Sequence, residues 1–196
     1  MFKKYLLTVS FILLPIMAIA QDNLTTMDGF RNAKFGMSIE EVKTIETAEF
    51  VTFLQDGGQD ILAYKGNING LSCHIYYFFI DNKFLMGAYI FNAKHTDANQ
   101  YIIDFMNVAN NITAKYGTPA IDNVKWKNDV YKDDVAKWGY AVQMGYLQLL
   151  TSWNFSNSAI YTILSGSNYE IHHTLYYKSN EYDIQLEQLK KETNDF

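Results

Sequence analysis

The chain has 196 residues, of which 16 are basic and 21 acidic, so its formal net charge at pH 7 is −5. An acidic surface repels phosphate backbones and anionic lipid headgroups, and no lysine or arginine cluster offsets it, so we expect neither nucleic-acid nor membrane-surface binding. Cys73 is the only cysteine, which excludes an intramolecular disulfide and favours a small buried thiol over a nucleophile.

The first twenty residues have the three parts of a secretory signal peptide. Lys3 and Lys4 provide the basic start, an apolar run follows, and small residues end the segment at Ala20. The apolar run is shorter than the roughly 20 residues that a helix needs to span a bilayer. We therefore predict that a signal peptide, residues 1–20, is cleaved after Ala20. Residues 21–196 would then form a periplasmic or secreted protein with no membrane span.

The first half of the mature chain predicts one helix followed by three strands. Residues 21–34 are polar and irregular, which is typical of a loose leader. Ser38 and Glu41 have the spacing of a capping box, in which each side chain accepts a hydrogen bond from the other residue's backbone, and the helix should end near Thr47. Apolar runs separated by turn residues then predict three strands, over residues 60–65, 71–80 and 84–91.

The middle strand of this set is apolar on both faces. Successive side chains of a strand point to opposite sides, which places Cys73, Ile75, Tyr77 and Phe79 on one face and His74, Tyr76, Phe78 and Ile80 on the other. An antiparallel strand with one face in water would alternate apolar with polar residues. We therefore expect the second face to be covered by another layer, a second subunit or a ligand.

The second half repeats this order of elements without repeating the residues. Apolar residues at helical spacing predict a long helix over residues 97–116, which Gly117 and Pro119 end. The charged residues 122–136 indicate an exposed excursion. Three more strands and a mostly polar last helix complete the chain, over residues 147–155, 159–164, 169–177 and 181–192.

This order of elements predicts a single α+β domain with one antiparallel sheet and helices on one face. A helix plus a three-strand meander occurs twice, over residues 35–92 and 96–178, and a C-terminal helix follows. No linker rich in proline, glycine or serine separates the halves, so they need not be independent domains.

Two short motifs resemble those of small bacterial envelope proteins. Residues 36–42, Gly-Met-Ser-Ile-Glu-Glu-Val, resemble a helix start in the family of the small lipoprotein of the β-barrel assembly machinery, and residues 115–119, Lys-Tyr-Gly-Thr-Pro, resemble a helix exit of the same group. The layout is also similar to that of β-lactamase inhibitor proteins and of secreted bacterial proteins of unassigned activity. The resemblance implies a protein-binding role in the envelope. The chain departs from it in lacking a lipidated cysteine and the inhibitor's disulfides.

The sequence shows no signature of an enzyme, a cofactor or a metal site. It has no Gly-x-Ser-x-Gly elbow, and Cys73 and His74 are strand neighbours whose side chains point to opposite faces and cannot form a dyad. His172 and His173 face opposite ways for the same reason. The acidic stretch of residues 129–134 lacks the pattern of a calcium loop and indicates a solvated loop.

The abundant aromatic residues are the feature that points to a function. Our preferred hypothesis is a non-enzymatic protein-binding module whose partner is an envelope protein or a second copy of the chain. Its candidate surface is formed by Tyr76, Phe78 and Ile80, with Tyr89 and Phe91 across the hairpin, unless this face packs under a helix.

Two other functions remain as alternatives. A carrier of an apolar small molecule requires an enclosed cavity of roughly several hundred Å3, the volume that is usual for small-molecule sites. A hydrolase requires a His or carboxylate pair that converges only in the folded chain.

Overall fold

The computed structural model of the protein describes residues 26–194, with side chains up to residue 191. The predicted signal peptide and its cleavage site lie outside this range. Within it the chain is α+β, as predicted, with an eight-stranded antiparallel sheet, a small two-stranded sheet and four α-helices. None of these helices is long and apolar enough to cross a membrane.

The first half of the described chain holds a hairpin, one helix and four strands. The predicted capping box is confirmed: the N–H of Glu41 donates to Oγ of Ser38 at 3.3 Å, and the N–H of Ser38 donates to Oε2 of Glu41 at 2.8 Å. In chain order the elements are β1 (Gly29–Phe30), β2 (Ala33–Lys34), α1 (Ile39–Ile45), β3 (Glu49–Asp56), β4 (Gln59–Ile68), β5 (Leu71–Ile80) and β6 (Lys83–Phe91).

The second half begins with the long helix, which ends at Gly117 as predicted. Gly117 has a φ of +89°, a conformation that glycine adopts without a steric cost. The elements are α2 (Asn99–Tyr116), β7 (Ile121–Trp126), two short 3-10 helices (Asp129–Tyr131 and Val135–Lys137), α3 (Trp138–Gln143), β8 (Leu147–Asn154), β9 (Ser158–Ser167), β10 (Glu170–Ser179) and α4 (Asn180–Asn194).

The two halves share one sheet, whose strand order is β3-β4-β5-β6-β10-β9-β8-β7. The last strand of each half lies at the centre, where β6 and β10 pair antiparallel, with Ala88 opposite Tyr176 and Ile90 opposite Thr174. The first strand of each half lies at an edge. Each half is thus a helix followed by four strands, with α3 inserted before β8, and backbone hydrogen bonding is continuous across their junction.

The prediction of three strands in each half was one strand short, because the edge strands β3 and β7 were missed. Nearly every residue of these two strands is exposed, so neither shows the alternation that marks a half-buried strand. A bulge between Phe50 and Thr52 further disturbs the pattern of β3. The exposed excursion predicted over residues 122–136 is in fact partly strand β7.

The prediction that the helices occupy one face was wrong for α4. Val42 of α1, Val108 of α2 and Val142 of α3 are buried on one side of the sheet, which we call the helical face. Tyr182 of α4 is buried against Leu85 on the other side, which we call the α4 face. The chain enters α4 directly from β10 and folds back over β6 and β5.

The core lies on the helical face and draws its largest side chains from both halves. Fully buried residues of the first half meet those of the second in one cluster, which includes Leu62, Ile75, Tyr77, Phe79, Trp153, Ile160 and Leu175. The two helix-plus-strand units therefore share their apolar interior as well as their sheet.

The β1–β2 hairpin replaces the loose leader that was predicted before α1. Phe30 of this hairpin is 1% exposed, and its ring centroid lies 4.7 Å from that of Tyr89 and 5.2 Å from that of Tyr177. The ring packs directly over Gly87, where an added Cβ would lie 2.1 Å from it. A polar segment is thus anchored to the centre of the sheet by one aromatic residue.

Candidate functional site

The five residues predicted as a binding surface are divided between the two faces of the sheet. Tyr89 and Phe91 lie opposite Ile75 and Cys73 on the helical face. They are 7% and 9% exposed and belong to the core. The predicted surface therefore does not form as one surface, because the strand register places residues 89 and 91 on the same face as the buried residues of β5.

Tyr76, Phe78 and Ile80 lie together on the α4 face, where α4 covers one end of them. Ile80 is buried and Phe78 half-buried in a cluster with Tyr182 and Leu186 of the helix. Tyr76 lies beyond the helix and stays half-exposed. The last helix of the chain thus covers only part of the apolar second face of β5.

Beside α4, two cross-strand rows of side chains form a surface that the described residues leave partly exposed, which we call the open strip. One of its members, Tyr176, also packs against the α4 cluster. The strand register places the rows side by side across β5, β6, β10, β9 and β8. One row is His74, Ile90, Thr174, Ile163 and Leu150, and the other is Tyr76, Ala88, Tyr176, Tyr161 and Ser152. At a spacing of about 4.8 Å between strands, the strip is about 19 Å long.

The larger side chains of the open strip remain partly accessible. Ile90 is 36% exposed, and apart from the small Ala88 and Ser152 the other members are half-exposed. The rings of Tyr161 and Tyr176 stack, with centroids 4.8 Å apart and planes at 25°. Burial raises the pKa of Tyr161, so its hydroxyl group stays protonated and available as a donor.

The open strip contains no carboxylate, in contrast to the acidic composition of the chain. On its α4 side, Nζ of Lys178 lies 5.6 Å from the ring centroid of Tyr161 and 2.6 Å from Oδ2 of Asp183. On its other side, the exposed His172 lies opposite Ser165. The strip is therefore an apolar and aromatic band between polar borders.

Sequence reasoning placed Tyr76 on a candidate surface but did not place it beside the residues that the second half provides. A signal was present in β9, where Ile160, Thr162 and Leu164 alternate with Tyr161 and Ile163. This alternation shows a second partly apolar face like that of β5. It does not show that β6 pairs with β10, and that pairing is what joins the two faces into one strip.

A polar cluster that the sequence did not suggest lies buried at the helical face. Nε2 of His95 is 2.5 Å from Oδ2 of Asp104, and Nε2 of His173 is 3.2 Å from Oγ1 of Thr162. Burial lowers the pKa of His173 to about 4, against a smaller opposing effect of Asp104. His173 is therefore neutral at physiological pH.

This cluster resembles the parts of a hydrolytic site but lacks room for a substrate. Thr162 is fully buried, and its hydroxyl donates to the carbonyl oxygen of Thr174 at 3.0 Å. The adjoining cavity, which His173 and Asp104 line, measures about 10 Å3, the space of a single water molecule at most. The arrangement serves to satisfy buried polar groups.

The other reactive groups are buried or paired with neighbouring side chains. Cys73 is buried as predicted, and burial raises the pKa of its thiol to about 11, so that it is not a thiolate at neutral pH. In the acidic stretch, Asp129 and Asp134 form exposed ion pairs with Lys132 and Lys137. No group of three His, Cys, Asp or Glu residues in the described part of the chain is arranged to hold a metal ion.

Arg31 and Glu46 form a largely buried ion pair on the helical face. Nε and Nη2 of Arg31 donate to the Glu46 carboxylate at 2.8 and 3.1 Å, and the Tyr77 hydroxyl and the Ala48 N–H donate to it as well. Burial tends to raise the pKa of Glu46, but these hydrogen bonds outweigh burial and lower it. The pair holds the β1–β2 turn, in which Arg31 has a φ of +56°, against the sheet.

A cavity of about 420 Å3 lies beside this ion pair, between the β1–β2 hairpin, the end of α2 and the centre of the sheet. Its size is that of a small-molecule site. Its lining includes the charged residues Asp28, Arg31, Lys34 and Lys115 and the aromatic residues Tyr89, Tyr116 and Tyr177. The charged groups do not suit the apolar ligand that the carrier hypothesis requires.

Comparison with known proteins does not place the chain in a family. No protein-family model matches it, and neither a curated protein nor a solved structure is significantly similar to it.

Proposed function

We propose that the protein is a non-enzymatic binding module that docks another protein on the open strip. The observation that supports this proposal is the pair of rows on the α4 face that the described residues leave largely open, where partly exposed aromatic and aliphatic side chains line up across five neighbouring strands. Removing such area from water stabilises a complex by roughly 25 cal/mol per Å2. Tyrosine is also among the residues enriched in protein interfaces.

The shape of the strip favours a macromolecular partner. Small molecules bind in concave sites that bury most of their surface, and the cavities of about 420, 410 and 200 Å3 in the described residues lie away from the strip. A sheet face some 19 Å long offers contact area without enclosure. This geometry suits the surface of a folded protein.

The charges around the strip indicate the kind of partner. The strip has no carboxylate, lysine or arginine, and at its border Lys178 is neutralised by Asp183 at 2.6 Å, so an apolar surface without a strong net charge is complementary to it. The helix α4, which borders the strip, exposes Glu181, Asp183 and Glu187 as well as Lys190 and Lys191. We propose a different protein as the partner, and a dimer of the chain is the alternative outcome of the test.

The test is site-specific photocrosslinking in the cells that produce the protein. A crosslinking amino acid at position 90 lies on the strip, and one at position 103 is the matched control. Ile103 is 48% exposed on α2, on the opposite side of the sheet. We expect one defined heterologous adduct from position 90 and none from position 103.

A second substitution links that adduct to the strip. Ile163→Glu places a charge among the same side chains, and we expect it to weaken the adduct from position 90 at least about tenfold, equivalent to 1.4 kcal/mol. The same adduct from both positions, or an adduct that is only a dimer of the chain, would contradict the proposal.

A further inference from the structure

The cavity of about 420 Å3 on the helical face differs from the rest of the molecule in charge. Its lining holds three cations, Arg31, Lys34 and Lys115, and one carboxylate, Asp28, whereas acidic residues outnumber basic ones in the whole chain. It lies across the sheet from the open strip, so a ligand there is independent of the proposed protein partner.

The three cations are neutralised to different degrees. The carboxylate of Glu46, which does not line the cavity, neutralises Arg31. Nζ of Lys34 lies 3.6 Å from Asp28, with both side chains more than two-thirds exposed, so water screens that pair strongly. Lys115 forms no ion pair within the described residues, and its Nζ lies 4.8 Å from the Tyr116 ring centroid. Lys115 is therefore the cation most available to a ligand.

The floor of the cavity provides hydroxyl donors. Tyr89 lines the cavity beside Arg31, and since a guanidinium group is only a donor, the Tyr89 hydroxyl keeps its own proton for a ligand. The hydroxyl group of Tyr177 makes no hydrogen bond to any described residue, and its ring also lines the cavity. Burial raises the pKa of both tyrosines, so both remain protonated donors at neutral pH.

We propose that this cavity binds a small organic oxyanion, a carboxylate or a phosphate monoester, through Lys115, Lys34 and the hydroxyl groups of Tyr89 and Tyr177. Charge-assisted hydrogen bonds from ammonium and hydroxyl donors are the strongest recognition available to such a group. The carbonyl end of α2 carries a partial negative charge that opposes an anion, which makes the side-chain donors indispensable. The rings of Tyr89, Tyr116 and Tyr177 then offer apolar contact to the body of the ligand.

Titration calorimetry with four probes tests this site on the mature chain. Benzoate and phenyl phosphate carry the two candidate oxyanions, benzamide is the neutral counterpart of benzoate, and inorganic phosphate lacks the organic body. We expect both aromatic anions to bind at least about tenfold more tightly than benzamide and more tightly than inorganic phosphate. The ratio of the affinities for benzoate and phenyl phosphate distinguishes a carboxylate from a phosphate ligand.

Three variants assign the binding to the cavity. Lys115→Gln should weaken the better anion about tenfold, and Tyr177→Phe, which removes only the unpartnered hydroxyl, should weaken it about threefold. Lys125→Gln changes an exposed lysine on the edge strand β7 and should leave the affinity unchanged.

Two outcomes would overturn the assignment. One is that benzoate and benzamide bind equally, or that no anion binds more tightly than about 10 mM. The other is that Lys115→Gln and Lys125→Gln have the same effect, which would show attraction to lysines in general.

Discussion

The buried imidazole of His173 makes stability depend on pH. The ring is 4% exposed, stacks on Phe91 at 4.4 Å and has its pKa lowered by burial to about 4. In the unfolded chain its pKa is near 6.5, so unfolding takes up a proton between these two values. Stability is complete above about pH 6.5 and falls as the pH is lowered towards 4. The total loss from this residue is on the order of 3 kcal/mol.

His173→Gln removes this proton uptake and should flatten the loss of stability between pH 6.5 and 4. Urea unfolding at several pH values gives the slope for each variant. The neighbouring His172 is exposed, so His172→Gln is the matched control and should keep the slope of the original chain. Equal slopes in all three chains would show that His173 is not the group responsible.

The ion pair of Arg31 and Glu46 should contribute far more to stability than a surface pair. Their side chains are 23% and 3% exposed, and Glu46→Gln leaves the partly accessible guanidinium group without its counter-charge, at a cost of about 2 kcal/mol, below that of a fully buried pair. Glu49 and Lys65 form a pair of similar length, 2.9 Å, but are more than half exposed. Glu49→Gln should therefore cost about 0.5 kcal/mol or less. Denaturant unfolding of both variants measures the difference.

At the scale of elements, the β1–β2 hairpin depends on the missing side chain of Gly87. Gly87→Ala places a methyl group within 2.1 Å of the Phe30 ring, which should displace the hairpin and destabilise the chain by about 2 kcal/mol. Hydrogen exchange in residues 29–34 should rise. In a Phe30→Ala background the same substitution should cost little, because the clash is gone; equal costs in both backgrounds would contradict this account.

Long elements with a buried face were predictable from the sequence. The exposed edge strands were not, and neither were the short buried elements α3 and the β1–β2 hairpin. The capping residues of α1, the periodicity of α2 and the apolar runs of β5 and β6 each reflect local physics that is visible in order along the chain. The strands β3 and β7 have no buried face, so backbone pairing alone defines them. The place of α4 depends on which side of the sheet the chain leaves β10, and residue patterns do not encode that direction.

At the scale of the molecule, only part of the candidate site followed from the sequence. The apolar second face of β5 was expected to be covered, and α4 covers it at one end only. The remaining strip requires β6 to pair with β10, whose partner residues lie between 82 (His173 and Phe91) and 92 (Lys178 and Met86) positions apart. The same pairing creates the floor of the cavity from Tyr89 and Tyr177. Both candidate sites thus arise where the halves meet.

Because the halves share one core, they should unfold together, and the chain carries a natural probe in each. All three tryptophans lie in the second half, and Cys73, buried in the first half, is the only thiol. Tryptophan fluorescence and thiol labelling should therefore give the same urea midpoint. Leu175→Ala, at the central strand, should lower the stability reported by both probes equally, by about 3 kcal/mol. If Cys73 is labelled at a urea concentration that leaves the tryptophan fluorescence unchanged, the halves are separate folding units. A single cooperative unit would expose both probes at the same urea concentration.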